Sequence, residues 1–454
     1  MYRIEDITKI NENINKIQDE ASMHYKTYYE PTLKESGEVY KAIKNFLIRK
    51  KRVTYGGFAQ NMLIMYKNPE ASFYKEVNGA FFNWPDIADI EFYSPTPLQD
   101  IIELTEELYS QGFKNIQGKD GLHPETYKVF INFINYCDIS YIPQHIHNSM
   151  PVIEINGIKC AHPHFMMVDA YRVLTDPMTS YWRLEKTLKR WQLILKYYPL
   201  DQKLKNEKFK LENNDESLKY IKKKIIHKSK LVVVGFAAYN YYTSKVSKED
   251  IIQEYSFYEL ISENLHHDAK HIYKVLKNKY KDKITVKEYQ PFFQFTDNKV
   301  EYFNNNKLIL RLFGNNHRCT VYNYSTKKHT HYGTYNLVFM YLFFDYFYAF
   351  INRDKINTNL YNALIAKFHN NRNKYMDSHN ITVLDKSPFQ DFTFKCYGVP
   401  VDMARQARLE MKNRDKFRFT YIPSGKPKQA PEYNFFNTSG NPIMNTKNLI
   451  IKNN

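Results

Sequence analysis

The sequence has few cysteines, no long apolar run and no secretory signal. Four cysteines occur among 454 residues, and no two have the C-x-x-C spacing of zinc or redox motifs: Cys137, Cys160, Cys319 and Cys396. This scarcity argues against a disulfide framework or a zinc finger and favours a reducing compartment. Because no stretch of about 18 apolar residues is present, we expect no membrane-spanning helix. The N-terminal MYRIEDITKI lacks the apolar region of a secretory signal.

Histidines on either side of Cys160 are one candidate for a zinc site. They form two His-x-His pairs, His145 with His147 and His162 with His164. Tetrahedral zinc sites generally take ligand pairs with wider spacing. We therefore interpret these histidines as loop and surface residues.

Positive charge and aromatic residues are abundant. The chain has 65 basic and 48 acidic residues, a formal net charge of +17, and 39 tyrosines. Basic and aromatic side chains together suit a single-stranded nucleic acid, because phosphates bind to Lys and Arg while bases stack on rings. A composition rich in Lys, Asn, Tyr and Ile is equally typical of AT-rich coding DNA, so composition leaves both interpretations open.

The length predicts two or three domains, because a single core rarely extends beyond about 250–300 residues. Isoleucines recur every three or four residues from Ile4 to Ile17, which predicts N-terminal helices. The end of the chain is rich in Pro, Gly and Asn, which predicts extended or disordered structure. The predicted segments are 1–45, N-terminal helices; 46–200, a first mixed domain; 201–230, a basic connector; 231–400, a second mixed domain; and 401–454, a C-terminal tail.

Paired carboxylates in the sequence Asp89-Ile90-Glu91-Phe92 are the most informative feature. In a strand, residues two apart share a face, so Asp89 and Glu91 would point to one side and the apolar residues to the core. Two such close negative charges are costly unless a cation lies between them. Asp86 is a rival for the first position, but Ala88 stands two residues later. We therefore prefer Asp89.

Two further motifs complete the pattern. Gly56-Gly57 lies between a predicted strand and a predicted helix, where glycine allows close approach to a ligand and a helix N-terminus offers N–H groups to phosphate. Asp138 lies in a second strand-like alternation, Cys137-Asp138-Ile139. A glycine turn and three carboxylates in this order predict a two-metal phosphoryl-transfer site.

These motifs together resemble the nucleotidyltransferase superfamily that includes DNA polymerase β. The matching segments are Tyr55-Gly56-Gly57, Asp89-Ile90-Glu91-Phe92 and Cys137-Asp138-Ile139. The segments ADIEFYSP and TDPMTSYWRLEKTLKRW resemble, more closely, the catalytic subunits of poly(A) polymerases from poxviruses and other large cytoplasmic DNA viruses. Two features depart from the usual pattern: the second carboxylate is Glu91 rather than Asp, and the turn is Gly-Gly rather than Gly-Ser.

The resemblance implies a fold, an activity and partners. The fold is α+β, with an N-terminal helical segment, a polymerase β-like nucleotidyltransferase domain and a second, degenerate nucleotidyltransferase-like domain. The activity is polyadenylation of mRNA 3′ ends from ATP, with two Mg²⁺ or Mn²⁺ ions held by Asp89, Glu91 and Asp138. The partners are an RNA 3′ end and either a processivity subunit or a second copy of the chain, with no membrane. The location is the host cytoplasm, in a viral factory, or the virion.

The second half of the sequence resembles a copy of the first. Gly57-Phe58-Ala59 recurs as Gly235-Phe236-Ala237, and Glu91, Ser94 and Asp100 recur as Glu259, Ser262 and Asp268. In this alignment Phe257 replaces Asp89, and Arg311 lies near the position of Asp138. A copy with these exchanges cannot hold two metal ions, so we interpret it as a degenerate domain. Chance similarity between two β-α-β units is the alternative.

Nucleotide and RNA contacts are predicted downstream of the carboxylates. The resemblance places the segment after Asp176-Pro177 beside the active site, so we expect Arg183 and Lys186, with Tyr181, to contact the triphosphate. A solvated amphipathic helix face is the alternative. The clusters Lys50–Arg52 and Lys222–Lys224 are candidates for RNA phosphates, although each taken singly is more typical of solvated surface.

Three functions are compatible with these motifs. The first is an RNA 3′-adenylyltransferase. The second is a non-catalytic RNA-binding or scaffold subunit that retains the fold, although the complete carboxylate set argues against it. The third is a nucleotidyltransferase with another product, such as a uridylyltransferase or a CCA-adding enzyme.

Overall fold

A computed structural model describes residues 2–29, 33–83, 86–200, 215–315, 318–399, 405, 409 and 418–443. Helices and strands are mixed, as expected for the α+β class, and they form two compact units. The first unit comprises Met1–Ile142, Pro151–Pro163 and Ala407–Phe435. The second unit comprises Pro143–Met150, His164–Gln406 and Phe436–Asn454.

The N-terminal helices are formed as predicted. They are α1 (Ile4–Glu12), α2 (Ile14–Tyr29) and α3 (Leu33–Lys50). The isoleucine stripe of α1 and the start of α2 is exposed, with Ile4 and Ile17 both on the surface. Helix α3 instead buries one face, which includes Tyr40, Ile43 and Phe46. The periodicity therefore predicts the helices correctly, but it is α3 that contributes to the core of the first unit.

The rest of the first unit is built on a mixed sheet. Its elements are β1 (Val53–Tyr55), α4 (Gly56–Lys67), β2 (Lys75–Val77), β3 (Ala80–Asn83), β4 (Asp86–Ile87), β5 (Ile90–Ser94), α5 (Pro97–Ser110), β6 (Gln117–Asp120), β7 (Thr126–Ile131), β8 (Ile134–Tyr141), β9 (Val152–Ile155) and β10 (Ile158–Ala161). The main sheet has the order β6-β7-β8-β5-β1-β10-β9, while β2, β3 and β4 form a separate small sheet. Strand β5 is parallel to β8, and β1 is parallel to β10.

The second unit has its own sheet and a set of long helices. Its elements are α6 (Gln144–Ser149), α7 (Pro163–Thr175), α8 (Pro177–Ser180), α9 (Leu184–Tyr197), α10 (Asp215–Lys224), β11 (Val232–Val234), α11 (Gly235–Thr243), β12 (Tyr258–Ser262), α12 (Leu265–Tyr280), β13 (Ile284–Tyr289), β14 (Lys299–Asn304), β15 (Lys307–Gly314), β16 (Thr320–Ser325), β17 (Thr330–Gly333), α13 (Tyr335–Ile351), α14 (Lys355–His379) and β18 (Cys396–Tyr397). The aromatic helix α13 is largely buried. No helix within the described ranges is both long enough and apolar enough to cross a membrane.

The two sheets repeat the same topology. The order β13-β14-β15-β12-β11-β17-β16 reproduces β6-β7-β8-β5-β1-β10-β9 strand for strand. The parallel pairs recur as well, because β12 is parallel to β15 and β11 is parallel to β17. Ser94 donates to Asp100 at 2.6 Å, and Ser262 donates to Asp268 at the same distance. The predicted internal repeat is therefore confirmed, and chance similarity is excluded.

The structure corrects the alignment of the glycine in the repeat by one residue. Gly56 and Gly235 each begin the helix after the first strand, and their φ angles are +65° and +61°. Gly235 therefore corresponds to Gly56, whereas the shared Gly-Phe-Ala letters had paired it with Gly57. The backbone conformation fixes the equivalence, because only the first helical residue needs a positive φ, which glycine adopts without strain.

The predicted connector and tail are described in part. Residues 201–214, most of 401–417 and residues after 443 lie outside the described residues. Residues 418–443 are largely extended, with 418–435 in the first unit and 436–443 in the second. Strand β19 (Thr420–Tyr421) pairs with the β6 edge of the first sheet, whereas Ser439 forms a bridge with Phe292 in the second unit.

One disulfide contradicts the expectation from cysteine spacing. Cys319 and Cys396 are bonded, with a Cα–Cα distance of 5.3 Å, although they lie 77 residues apart in sequence. The antiparallel pairing of β16 with β18 brings them together. Sequence spacing carries no information about such a contact. Cys137 and Cys160 are buried free thiols.

Candidate active site

Adjacent strands in the first unit bring two carboxylates opposite each other. In the parallel pair β5 and β8, Glu91 is the register partner of Asp138. The neighbours of each residue along its own strand are completely buried, Ile90 and Phe92 for Glu91 and Cys137 and Ile139 for Asp138. The alternation predicted for both strands is therefore present, with the carboxylates on the face away from the core.

Asp89 joins this pair through an asparagine that no sequence motif indicates. The Nδ2 atom of Asn135 donates to Asp138 Oδ1 at 2.9 Å and to Asp89 Oδ2 at 3.3 Å. Asp89 itself lies immediately before β5, which begins at Ile90. A β-bulge shifts the register of β7 and β8 between Val129 and Phe130. A bulge re-aims side chains, so it explains how Asn135 and Asp138, which lie three residues apart on β8, contact each other.

Lys128 provides a positive charge at the site. It is the register partner of Asp138 on the neighbouring strand β7. Its Nζ atom lies 2.7 Å from Asp138 Oδ1 and 2.6 Å from Oδ2. This residue was not predicted, because a cross-strand partner depends on register rather than on spacing along the chain.

The glycine turn contacts the second carboxylate directly. Helix α4 begins at Gly56, and the N–H of Gly57 donates to Glu91 Oε2 at 2.5 Å. A Cβ atom at Gly56 would overlap both carboxylate oxygens of Glu91. The turn is therefore in close contact with Glu91, whereas the approach of Gly56 and Gly57 to a nucleotide stays a prediction. A helix N-terminus favours a negative charge at this position.

Asp86 is set apart from this group. It lies on β4, is exposed, and pairs with Asn83 in the small sheet rather than the main one. The choice of Asp89 over Asp86 stays a prediction.

The carboxylates match divalent cations in donor type, because hard ions such as Mg²⁺ and Mn²⁺ prefer oxygen ligands. Asp89 and Asp138 share the Asn135 amide, Asp138 also contacts Lys128, and Glu91 accepts from the Gly57 N–H. As the side chains stand, the described part of the chain contains no group of three carboxylate, imidazole or thiol residues arranged to hold one ion. Carboxylates of like charge turn to the available ammonium and N–H donors, which accounts for this arrangement.

The histidines are engaged elsewhere. His145 Nε2 lies 3.1 Å from the carbonyl oxygen of Ser439, and His164 Nε2 lies 2.9 Å from that of Tyr198. Burial lowers the pKa of His164. The interpretation as loop and surface residues is therefore wrong for three of them, because His145 and His147 lie on α6, His164 lies on α7, and all three are partly buried.

The predicted triphosphate contacts belong to the second unit. Tyr181 and Arg183 lie in a 3₁₀ turn, and Lys186 lies on α9. All three are exposed, and Tyr181 is 68% accessible. The neighbouring Trp182, which was not among the predicted contacts, is 56% accessible. The role of these residues stays a prediction, because the carboxylates and both glycines lie in the first unit.

The corresponding position of the second unit holds a guanidinium. Glu259 on β12 is the register partner of Arg311 on β15, as Glu91 is of Asp138. Arg311 Nη1 donates to Glu259 at 2.8 Å and to Asp345 at 3.0 Å, while its Nε donates to Glu301 at 2.9 Å. Burial alone would lower the pKa of Arg311, but the three carboxylates outweigh burial and raise it well above its usual value.

Two further residues around Arg311 differ from their counterparts in the first unit. Phe257, which replaces Asp89, lies with its ring 4.9 Å from the Arg311 guanidinium carbon. Glu301 faces Arg311 across β14 and β15, where the first unit has Lys128 facing Asp138. The charges of this pair are reversed between the copies. A permanent internal cation thus pairs with three carboxylates, and the second copy is degenerate as a metal site.

The duplicated sheet, the glycine turn and the carboxylates on β5 and β8 define a nucleotidyltransferase of the polymerase β type. Residues 41–180 match the family model described as "Poly(A) polymerase catalytic subunit". Residues 192–453 match the model described as "APMV, Putative poly(A) polymerase, catalytic subunit, C-terminal". The chain belongs to the family of poly(A) polymerase catalytic subunits, which confirms the resemblance found in the sequence.

Individual relatives agree with this assignment. The "Putative poly(A) polymerase catalytic subunit" of Acanthamoeba polyphaga mimivirus is 32% identical over 99% of this chain and 84% of its own length. Its counterpart in African swine fever virus (strain Badajoz 1971 Vero-adapted) is 29% identical over 35% of this chain and 32% of its own length. The crystal structure of the Megavirus polyadenylate synthase superposes with a TM-score of 0.89, at 31% identity, over 99% of this chain and 94% of that one.

Replacing Gly56 with alanine tests the contact between the turn and Glu91. In Gly56→Ala the new Cβ would displace the Glu91 carboxylate, so we expect adenylate addition to RNA to fall at least about tenfold. Gly112→Ala is a matched control, because Gly112 has a φ of +91° and no atom lies within 4 Å of the place its new methyl group would take. The rate of incorporation from labelled ATP is the measurement. Equal losses in the two variants would mean that backbone strain alone explains the effect.

Replacing Arg311 with methionine tests the internal cation of the second unit. Arg311→Met leaves three buried carboxylates without their shared partner, a change that costs about 3–5 kcal/mol in comparable buried ion pairs. We expect the thermal unfolding midpoint of the second unit to fall by roughly 10 °C. Arg311→Lys, which keeps the charge, should lose less. An unchanged midpoint in Arg311→Met would show that the network contributes nothing to folding.

Proposed function

We propose that the chain extends RNA 3′ ends with adenylate from ATP, by phosphoryl transfer at Asp89, Glu91 and Asp138. Membership of the poly(A) polymerase family supports the reaction class. The observation that supports the site is the placement of Glu91 opposite Asp138, with Asp89 bound to the same Asn135 amide. Three carboxylates on or beside two adjacent strands form the oxygen-rich donor set that a two-ion phosphoryl-transfer site needs.

Asp89, Glu91 and Asp138 are the residues that would hold Mg²⁺ or Mn²⁺. When bound, the ions would lower the pKa of the RNA 3′-hydroxyl and neutralise charge on the triphosphate leaving group. Oxygen ligands alone do not distinguish the two metals, so either ion suits the site.

Neighbouring groups of the chain orient these carboxylates. Asn135 holds Asp89 and Asp138 together, the Gly57 N–H directs Glu91, and Lys128 fixes both oxygens of Asp138. Preorganisation of this kind matters because a displacement of about 1 Å at a catalytic group can reduce a rate about 10²-fold. Lys128 also adds a positive charge beside the site, which favours the approach of a polyanionic substrate.

Substrate contacts outside the carboxylate group are part of the proposal. Arg183 and Lys186 would bind the ATP triphosphate, the first through two parallel hydrogen bonds and the second as a point charge. Tyr181 would supply a ring next to them. Their exposure in the structure leaves all three side chains accessible to a ligand.

Partners and location follow from the same assignment. The RNA 3′ end is the acceptor, and sustained extension would use either a second copy of the chain or a processivity subunit. The relatives are proteins of large DNA viruses, so we infer that the chain acts in the host cytoplasm or in the virion. A molar mass from light scattering distinguishes a monomer from a self-associated form.

Neutralising single carboxylates tests the assignment of the site. Asp89→Asn and Asp138→Asn should each reduce extension of a labelled RNA by at least about 10³-fold in ATP with Mg²⁺ or Mn²⁺, because each loses a charged metal ligand. Circular dichroism should show an unchanged fold. Asp86→Asn is the control, since this exposed residue lies on the small sheet and its loss should leave extension unchanged.

Two outcomes would contradict the proposal. Near-normal extension by Asp89→Asn or Asp138→Asn would show that the metal site is wrong. A wild-type chain that prefers UTP or CTP over ATP would instead retain the chemistry and overturn the nucleotide assignment. Testing all four nucleotides in parallel separates these outcomes.

A further inference from the structure

One surface of the second unit is strongly basic and carries several rings. The turn between β16 and β17 presents Lys328 and His329 to solvent. The end of α11 lies beside this turn, because Lys328 Nζ is 5.6 Å from the centroid of the Tyr241 ring. Lys222, at the end of α10, and Lys245 act electrostatically on Lys328, and His329 acts on His227. We call this group the hairpin surface and define it as Lys222, His227, Lys230, Tyr241, Lys245, Tyr324, Lys328, His329, His331 and Tyr332.

The positive charges of the hairpin surface repel one another. The pKa of Lys328 is lowered by its partial burial and then by Lys222 and Lys245. Burial followed by Lys222 likewise lowers the pKa of His227, and burial followed by Lys230 lowers that of His331. No carboxylate among the described residues forms an ion pair with Lys222, Lys230, Lys245 or Lys328. Folding alone does not neutralise this charge, so an external polyanion would relieve the repulsion.

Aromatic rings lie between these charges. Tyr241 stacks on Tyr332 with a centroid distance of 4.1 Å. The Nζ atoms of Lys245 and Lys328 lie 5.1 Å and 5.6 Å from the centroid of Tyr241. Tyr324 is 48% exposed and lies 4.8 Å from the His331 ring. The exposed Tyr324 ring is thus available for stacking beside His331.

We propose that the hairpin surface binds single-stranded RNA. Lysines would contact successive phosphates, and Tyr324 would stack on a base, which is the combination that single-strand binding sites use. This inference rests on the proposed function, because that function makes RNA a substrate. It adds a second place, outside the carboxylate site, at which the RNA is bound. It also gives a use to the degenerate copy, whose metal position is filled by Arg311.

Single-stranded RNA fits better than two other polyanions. A duplex hides its base faces, so Tyr324 would contribute nothing to binding. An acidic polypeptide would satisfy the lysines but has no bases to stack on the ring. The surface therefore predicts that both charge and stacking contribute to affinity.

Fluorescence anisotropy with the full-length chain and a labelled 30-nucleotide single-stranded RNA tests the proposal. Lys245→Gln/Lys328→Gln should bind about tenfold or more weakly near 0.15 M salt. The slope of log affinity against log salt should fall in magnitude by about 1.4, from about 0.7 per lost phosphate contact. Tyr324→Ala should bind about tenfold more weakly with little change in slope. Lys274→Gln/Lys355→Gln is the control, because it removes the same charge from exposed positions elsewhere in the second unit.

Adenylate addition distinguishes this proposal from the proposed function. In the hairpin variants the KM for RNA should rise while kcat stays near the wild-type value, because none of these residues belongs to the carboxylate site. In one outcome, the wild type adds adenylate while the hairpin and control variants bind RNA equally well. That result would overturn the proposal for the hairpin surface and leave the proposed function standing. A wild type that binds RNA through this surface yet adds no nucleotide would overturn the enzymatic proposal and leave this one standing. Equal losses of binding to RNA and to an oligo-glutamate peptide of matched charge would identify an acidic-polypeptide surface and overturn the RNA assignment.

Discussion

The parallel pairing of β5 with β8 is the constraint on which the site depends. It sets Glu91 opposite Asp138 at the spacing of adjacent strands, about 5 Å. At an effective dielectric constant of about 20, two unit charges at that distance repel by about 3 kcal/mol. A fold that keeps both carboxylates on the same face therefore needs positive charge nearby. Lys128 and the N–H at the start of α4 supply part of it, and divalent ions bound at this site would supply the rest.

The two copies of the fold satisfy this constraint in different ways. Both retain the glycine that begins the helix and the glutamate that packs against it, Gly56 with Glu91 and Gly235 with Glu259. The first copy keeps a second carboxylate at the register position, whereas the second copy has Arg311 there. A covalently attached guanidinium needs no metal and no solvent access. The second copy can therefore serve as a folded platform, and RNA binding at its hairpin surface is the use that we propose for it.

Much of this arrangement could be predicted from the sequence because it depends on short-range periodicity. The alternation around Glu91 and Asp138 gave the strands and the face of each carboxylate, and the recurrence of Glu259 gave the repeat and the exchange to Arg311. The features that were missed depend on register and tertiary structure. Lys128 reaches Asp138 across strands, Asn135 reaches it through a bulge, and the Cys319–Cys396 bond joins strands far apart in the chain. The alignment of Gly235 with Gly57 failed because letter identity does not report φ.

Binding of Mn²⁺ followed by electron paramagnetic resonance, with a non-hydrolysable ATP analogue present, tests the central claim most directly. We expect tight binding by the wild-type chain that is lost in Asp138→Asn and retained in Asp86→Asn. The second unit should bind no ion, so Arg311→Lys should leave the number of bound ions unchanged. Tight Mn²⁺ binding that survives Asp138→Asn would contradict the claim that the carboxylates on β5 and β8 form the catalytic metal site.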